Sequence, residues 1–293
     1  MRSNVQAYNL IAPASLDSVL HLLAAEPGVF TPIAGGTELM VALGAGRLAA
    51  RRLVSLGGFT ELRFIEVGEQ AITIGAATTF TDLRLHPVIA EQFPLLSQAA
   101  SWIGGIANQN RGTIGGNLAN ASPAADSSPA LLVYDAEVRL ISAAGTRTLP
   151  YREFHLAYKQ TTLRNDELIH SITMTIPGRD PLQLGGPGVV SYIRKVGTRN
   201  AMAISKVVLA GIARMEAGTV AHLRLAGASL GETPMRLLAT ERTLIGQQLT
   251  TTVVTSALAA LSSEIRPIGD IRSTSQYRSA VAANLLQEFL CIL

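Results

Sequence analysis

Apolar and polar positions divide the chain into three runs of elements. The first run predicts a strand over Ala7–Leu10 and a helix over Leu16–Glu26, with Ser15 as N-cap and Pro27–Gly28 as the stop. A short apolar strand, Phe30–Ala34, then turns at Gly35-Gly36-Thr37 into a helix over Glu38–Leu43, and strand Arg52–Ser55 closes the unit. Gly57–Gly58 marks a boundary. Beyond it, Arg63–Val67 and Ala71–Ala76 alternate around Gly68-Glu69-Gln70, the pattern of a hairpin. Thr81 or Asp82 starts a short helix that stops at His86–Pro87, and a second helix covers Leu95–Trp102. The stretch from Gly104 to Ser128 reads as a loop of a length that is usually functional. Helix Pro129–Tyr134 and strands Glu137–Ser142 and Ile169–Ile176 complete the second run.

Asp180–Gly188, rich in proline and glycine, reads as a linker. The third run begins with strand Val189–Val196. A hairpin of Val207–Met215 and Ala221–Leu225 around Ala217-Gly218 follows, then helices over Pro234–Ile245, Thr252–Ser262 and Tyr277–Leu290. Strands and helices mix without regular βαβ alternation, so the fold class is α+β. The implied units are 1–57, 58–178 and 186–293.

Composition narrows the chemistry. With 48% hydrophobic and 15% charged residues, the 293-residue chain can bury a large core, and the low charge hints at surface covered by partners. A net charge of +3 comes from dispersed basic residues, which argues against a nucleic-acid-binding face. No apolar stretch reaches the roughly 18 residues needed to span a bilayer. Met1–Leu10 lacks the pattern of a signal peptide, so a cytoplasmic location is the expectation. The single cysteine, Cys291, excludes an intrachain disulfide and an iron–sulfur cluster held by this chain alone. The five histidines are scattered, and no metal site is expected.

Two glycine pairs stand out: Ile33-Ala34-Gly35-Gly36-Thr37-Glu38 and Arg111-Gly112-Thr113-Ile114-Gly115-Gly116-Asn117. Glycines let successive backbone amides approach one anion, and a helix N-terminus behind them adds its dipole. Thr37 and Thr113 can each offer a hydroxyl, so two such loops suit a diphosphate, one phosphate per loop. A side chain at Gly115 is then expected to block the ligand without unfolding the chain, whereas a plain tight turn predicts lost stability instead. Neither loop is a P-loop or a G-x-G-x-x-G fingerprint. Asp126, before helix Pro129–Tyr134, reads equally as a capping carboxylate or as a ligand of a sugar hydroxyl.

These motifs together resemble the FAD subunit of the molybdenum hydroxylases, the xanthine dehydrogenase and carbon monoxide dehydrogenase flavoprotein type. The resemblance rests on Ala34-Gly35-Gly36-Thr37-Glu38, then Thr113-Ile114-Gly115-Gly116-Asn117-Leu118 with Ala121-Ser122-Pro123-x-x-Asp126, and Asp166-Glu167-Leu168-Ile169. It continues in Tyr192-x-Arg194-Lys195-Val196-Gly197-x-Arg199, Ala203-Ile204-Ser205-Lys206-Val207 and Ile268-Gly269-Asp270-Ile271-Arg272 with Tyr277-Arg278, and so runs end to end. It implies a two-part FAD module of the vanillyl-alcohol-oxidase (PCMH-like) type and a C-terminal α+β domain of the carbon monoxide dehydrogenase flavoprotein type. By position it implies that Ile33 to Thr37 and Thr113 to Asn117 are the diphosphate loops. Ser122 falls in the run after the second loop, and Asp126 contacts a polar part of FAD. Ile103 stands where some relatives place an aromatic residue. Lys195 aligns with a basic residue near the flavin, Ile169 with an apolar contact, and Tyr192 lies close to the flavin-facing segment. A relative class with a 4Fe-4S loop in this subunit is excluded by the missing cysteines.

The resemblance further implies partners: a small subunit with 2Fe-2S clusters and a large subunit with the molybdopterin cofactor, assembled as (αβγ)2. Electrons would reach FAD from the clusters and leave to a soluble acceptor. No catalytic triad is expected, because the cofactor carries the redox chemistry. Lys195 would stabilise reduced flavin by its charge, against the plain alternative of a solvated surface lysine. The competing functional readings are a stand-alone FAD-dependent oxidoreductase and an assembly subunit without FAD.

Overall fold

Ser15 starts the first helix through its own side chain, which accepts a hydrogen bond from the Ser18 amide. The computed structural model describes residues 7–180, 182, 184–186, 188–199 and 201–293. Its first elements are β1 (Asn9–Ile11), α1 (Leu16–Ala25), β2 (Thr31–Ile33), α2 (Thr37–Gly44) and β3 (Arg52–Ser55). β1 and β2 both pair in parallel with β3, in the order β1-β3-β2. Leu16, Val19, Leu20 and Leu23 repeat with helical period and are buried against Phe30 and Val54. Of the N-terminal expectation for Met1–Leu10, residues 1–6 lie outside the described residues.

The middle of the chain supplies β4 (Ile65–Val67), β5 (Ala71–Gly75), α3 (Phe80–Leu85), α4 (Pro87–Gln92), α5 (Pro94–Trp102), α6 (Ile106–Gln109), α7 (Ile114–Ala119) and α8 (Ser128–Val133). It continues with β6 (Glu137–Ser142), β7 (Gly145–Pro150), β8 (His155–Ala157), β9 (Gln160–Thr161) and β10 (Leu168–Thr175). Five strands form an antiparallel sheet in the order β4-β5-β10-β6-β7. Two expectations are corrected here. The N-cap of α3 is Thr79, whose side chain bonds the Asp82 amide while the Asp82 carboxylate reaches back to the Thr79 amide, a reciprocal capping box. The stretch Gly104–Ser128 is not one loop: α6 and α7 fold within it, α7 because Thr113 caps its N-terminus.

The third run contains β11 (Val189–Val196), β12 (Val207–Glu216), β13 (Thr219–Ala228), β14 (Met235–Arg236), α9 (Leu238–Leu244), α10 (Thr251–Glu264) and α11 (Ser275–Leu290). β12 and β13 turn through Ala217 and Gly218, both with positive φ (48° and 78°), as a tight hairpin requires. The helix expected from Pro234 starts later, at Leu238, because Met235 and Arg236 pair with Gly227 and Ala226 as a sheet edge. Of the expected linker Asp180–Gly188, residues 181, 183 and 187 lie outside the described residues.

The alternation along this antiparallel sheet sends its two faces into different cores. Val208, Ala210, Ile212, Ala226 and Ala228 join the middle region's core, with Leu131 and Leu132 of α8. Val207, Leu209, Ala213, Leu223 and Leu225 pack instead with Leu261 of α10 and Leu286 and Phe289 of α11. An ion network reinforces the first junction. Arg224 meets Asp180 and Asp135, both at 2.9 Å, and Arg236 meets Asp135 at 2.6 Å and Glu241 at 2.8 Å. The C-terminal sheet is therefore fixed onto the middle region by apolar burial and by charge.

Candidate functional site

Strand β2 delivers Gly35 and Gly36 to the start of α2. Gly36 is the N-cap and takes φ 74°, the left-handed conformation that glycine adopts without strain. Gly35 lies against the backbone of Arg111 and Gly112, so close that a Cβ there would overlap the Arg111 carbonyl oxygen. The two glycine loops thus touch through backbone alone. Among the described residues, the amides of Gly35, Gly36, Thr37 and Glu38 have no protein partner. Gly35, Gly36 and Thr37 border an open cleft of about 420 Å³, lined also by Met40, Val41, Ala107, Asn108 and Arg111.

The second loop is built differently. Ile114 N–H donates to Thr78 O (3.0 Å), Gly115 N–H to Ala76 O (2.8 Å), Gly116 N–H to Thr113 Oγ1 (3.1 Å) and Asn117 N–H to Thr113 O (3.0 Å). All four amides are committed within the protein. Gly115 has no positive φ. A Cβ on it would stand 2.5 Å from Ala76 Cβ and 2.8 Å from Ala76 O. Gly115 is glycine because α7 packs on the end of β5, so the tight-packing reading replaces the expectation that a side chain there would act on the ligand alone. Thr113 Oγ1 serves as a helix cap. Asn117 Oδ1 accepts from Ser127 Oγ at 2.7 Å, and Ser122 Oγ accepts from the Ala124 amide at 3.3 Å.

Asp126 and Lys195 meet where β11 crosses the segment entering α8. Lys195 Nζ donates to Asp126 Oδ2 at 2.6 Å and to Trp102 O at 3.2 Å, and Ser205 Oγ donates to Asp126 Oδ1. Their side chains are 3% and 10% exposed. This corrects two alternatives at once. Asp126 is not a cap, since the N-cap of α8 is Ser127 and makes no side-chain cap bond. Lys195 is not a solvated surface charge. Burial pushes the Asp126 carboxyl above its ordinary range, and Lys195 and Ser205 oppose that shift.

The remaining candidates divide. Ile103 is half-buried at the C-cap of α5, next to Trp102, and so adjoins the Lys195–Asp126 pair. Residues 102–108 connect that pair to Asn108 in the cleft. Ile33 and Ala34 lead into the first loop. Ile169 is buried in the middle core on β10. Tyr192 is a correction: strand alternation turns it away from Lys195, and its ring stacks on Phe289 with centroids 5.4 Å apart. The sequence reading held Arg111 inside the second glycine motif without giving it a role, and it missed Asn108, Met40 and Val41 as cleft residues and Trp102 and Ser205 as partners of the buried pair. One signal was available: Met40 and Val41 are apolar in a helix that has no buried residue.

Comparison with known proteins gives the family of the chain. Residues 6–177 match the family described as FAD binding domain in molybdopterin dehydrogenase. The chain belongs to that family. Residues 192–292 match a second one, the CO dehydrogenase flavoprotein C-terminal domain. Among relatives of this FAD-binding chain, the putative xanthine dehydrogenase FAD-binding subunit of Escherichia coli K12 is 30% identical over 90% of this chain and 88% of its own. The carbon monoxide dehydrogenase medium chain of Hydrogenophaga pseudoflava is 29% identical over 95% and 94%. A solved structure of carbon monoxide dehydrogenase from Hydrogenophaga pseudoflava superimposes with a TM-score of 0.89 at 27% identity, covering 97% of this chain and 96% of that one. The expected α+β architecture, the FAD cofactor and the oxidoreductase class are those of this family. No described helix is long and apolar enough to cross a membrane.

Proposed function

We propose that the chain is the electron-transfer subunit of a molybdenum hydroxylase, taking electrons from 2Fe-2S clusters on a small partner and passing them to an external acceptor. A large molybdopterin subunit completes the assembly, which we place in the cytoplasm as a dimer of heterotrimers. The single observation that carries the reading is the row of unpaired amides from Gly35 to Glu38, at the start of α2 and in backbone contact with the second loop. Unpaired amides at a helix start fit a diphosphate, because the donors converge and the dipole end is positive. When bound, FAD supplies the redox chemistry, as cofactors do in such enzymes.

In this reading each residue of the site has a modest task. The amides of Gly35 to Glu38 hold the diphosphate. Thr113 and Gly115 hold α7 in place beneath it. Lys195 and Asp126 join the C-terminal sheet to the middle region and set the charge beside Ile103. We assign the boundaries 1–57, 58–178 and 186–293 to the three units of this arrangement. The relatives' names, carbon monoxide dehydrogenase medium chain and 6-hydroxypseudooxynicotine dehydrogenase complex subunit alpha, support a place in a multi-chain complex.

The test is isolation of the chain from its source without denaturation, followed by metal and flavin analysis of each co-purifying chain. The reading expects FAD on this chain, with iron and molybdenum on two others. A chain that purifies alone and oxidises its substrate unaided would favour the stand-alone flavoenzyme.

A further inference from the structure

The structure assigns Arg111 as the cationic partner of the FAD diphosphate, a role the glycine motifs do not reveal. From Ile114 to Asn117 the second loop has no free amide to offer a phosphate. Its amides at Ile114, Gly115, Gly116 and Asn117 all bond within the protein. The first loop offers neutral donors, whereas a diphosphate bridging two nucleosides carries two negative charges. Neutral amides beside one helix end leave a place for a cation.

Arg111 lines the same cleft as Gly35, Gly36 and Thr37 and opens the second glycine loop, four residues before Gly115. Its position is fixed through its backbone. Arg111 N–H donates to Asn108 O at 3.2 Å, and its carbonyl lies against Gly35. Its side chain is exposed and makes no hydrogen bond or ion pair among the described residues. Arg47, Arg179 and Arg242 also make no side-chain bond among the described residues, but none of them lines this cleft, and several other arginines are committed. Arg147 grips Glu167, Arg236 grips Glu241 and Asp135, and Arg278 grips Asp270. A guanidinium has five donors in a planar fork that suits phosphate oxygens, and this one is uncommitted.

The inference rests on the FAD site proposed above, and a wild-type titration run beside the variants tests that site separately. The full-length apo chain is titrated with FAD at several salt concentrations, as wild type, Arg111→Met and Arg111→Lys, with the melting temperature of each apo chain measured in parallel. A charge-assisted phosphate contact predicts about a tenfold weaker FAD affinity for Arg111→Met at low salt, narrowing as salt screens the exposed charge, with an unchanged melting temperature. Arg111→Lys should fall between the two. An affinity equal to wild type at low salt would overturn the assignment. A loss of the same size at every salt concentration would overturn it as well, because it would report packing rather than charge.

Discussion

Lys195 Nζ and Asp126 Oδ2 lie 2.6 Å apart, and the two residues come from opposite sides of the junction between the C-terminal sheet and the middle region. Each would be a buried lone charge without the other. Removing one partner of such a pair costs roughly 3–5 kcal/mol, whereas replacing both by apolar groups costs far less. Lys195→Met should therefore lower stability by roughly that amount, and Lys195→Met/Asp126→Leu should recover much of it. Denaturant melts of the single and double variants measure this. Additive losses would show that the pair is not coupled.

Gly115 and Gly36 should fail in different ways. Gly115→Val drives a side chain into Ala76 and should melt early, by about 1–3 kcal/mol or more, while the folded fraction keeps FAD. Gly36→Ala forces a left-handed alanine, at roughly 1–2 kcal/mol, and disturbs the unpaired amides, so FAD affinity should fall with it. Thermal melts with and without FAD separate the two. A Gly115→Val chain of normal stability that no longer binds FAD would restore the ligand-blocking reading.

Much of the order of the elements was legible in the sequence where period and capping agreed, but α4 and strands β7, β8 and β9 were not read. Ser15 capped α1, and the bounds Arg52–Ser55, Glu137–Ser142 and Val189–Val196 stand as read. The helices inside Gly104–Ser128 were hidden because glycine and asparagine are poor helix formers, and α7 forms through the Thr113 cap and packing on Ala76. Within the site, motif position pointed to both loops and to Lys195 and Asp126 as candidates. It did not show which amides stay free, that Lys195 and Asp126 bond each other, or that Tyr192 faces Phe289. Those facts depend on tertiary hydrogen bonding and on strand alternation relative to a partner, which no local spacing encodes.

Asp270 gives a pH signature. Burial alone would raise its carboxyl, but the Arg272 amide and side chain and the Arg278 guanidinium outweigh burial and hold it at about 2. A folded pKa below the unfolded one stabilises the protein above the unfolded value, near 4. That contribution fades as pH falls toward 2. Asp270→Asn should be less stable than wild type at neutral pH, and the gap should close across this acid range. A gap constant with pH would place the effect in packing of the turn.

FAD should be held without a covalent bond. None of the five histidines lies in either glycine loop, and Cys291 sits at the C-cap of α11. Denaturing the FAD-loaded chain and separating it from small molecules should leave a colourless polypeptide and free FAD. Colour retained on the polypeptide would refute this.

The subunit reading is tested most directly by mixing a hydroxylatable substrate, an aldehyde, purine or N-heterocycle accepted by the whole complex, with two oxygen-free samples. One is the FAD-loaded chain alone, and the other is the complex containing its iron–sulfur and molybdenum partners. The visible absorbance of the flavin is then followed in time. The account predicts bleaching in the complex and an unchanged spectrum in the isolated chain, because this chain has one cysteine and holds no cluster by itself. Bleaching of the isolated chain at a rate comparable to the complex would contradict it.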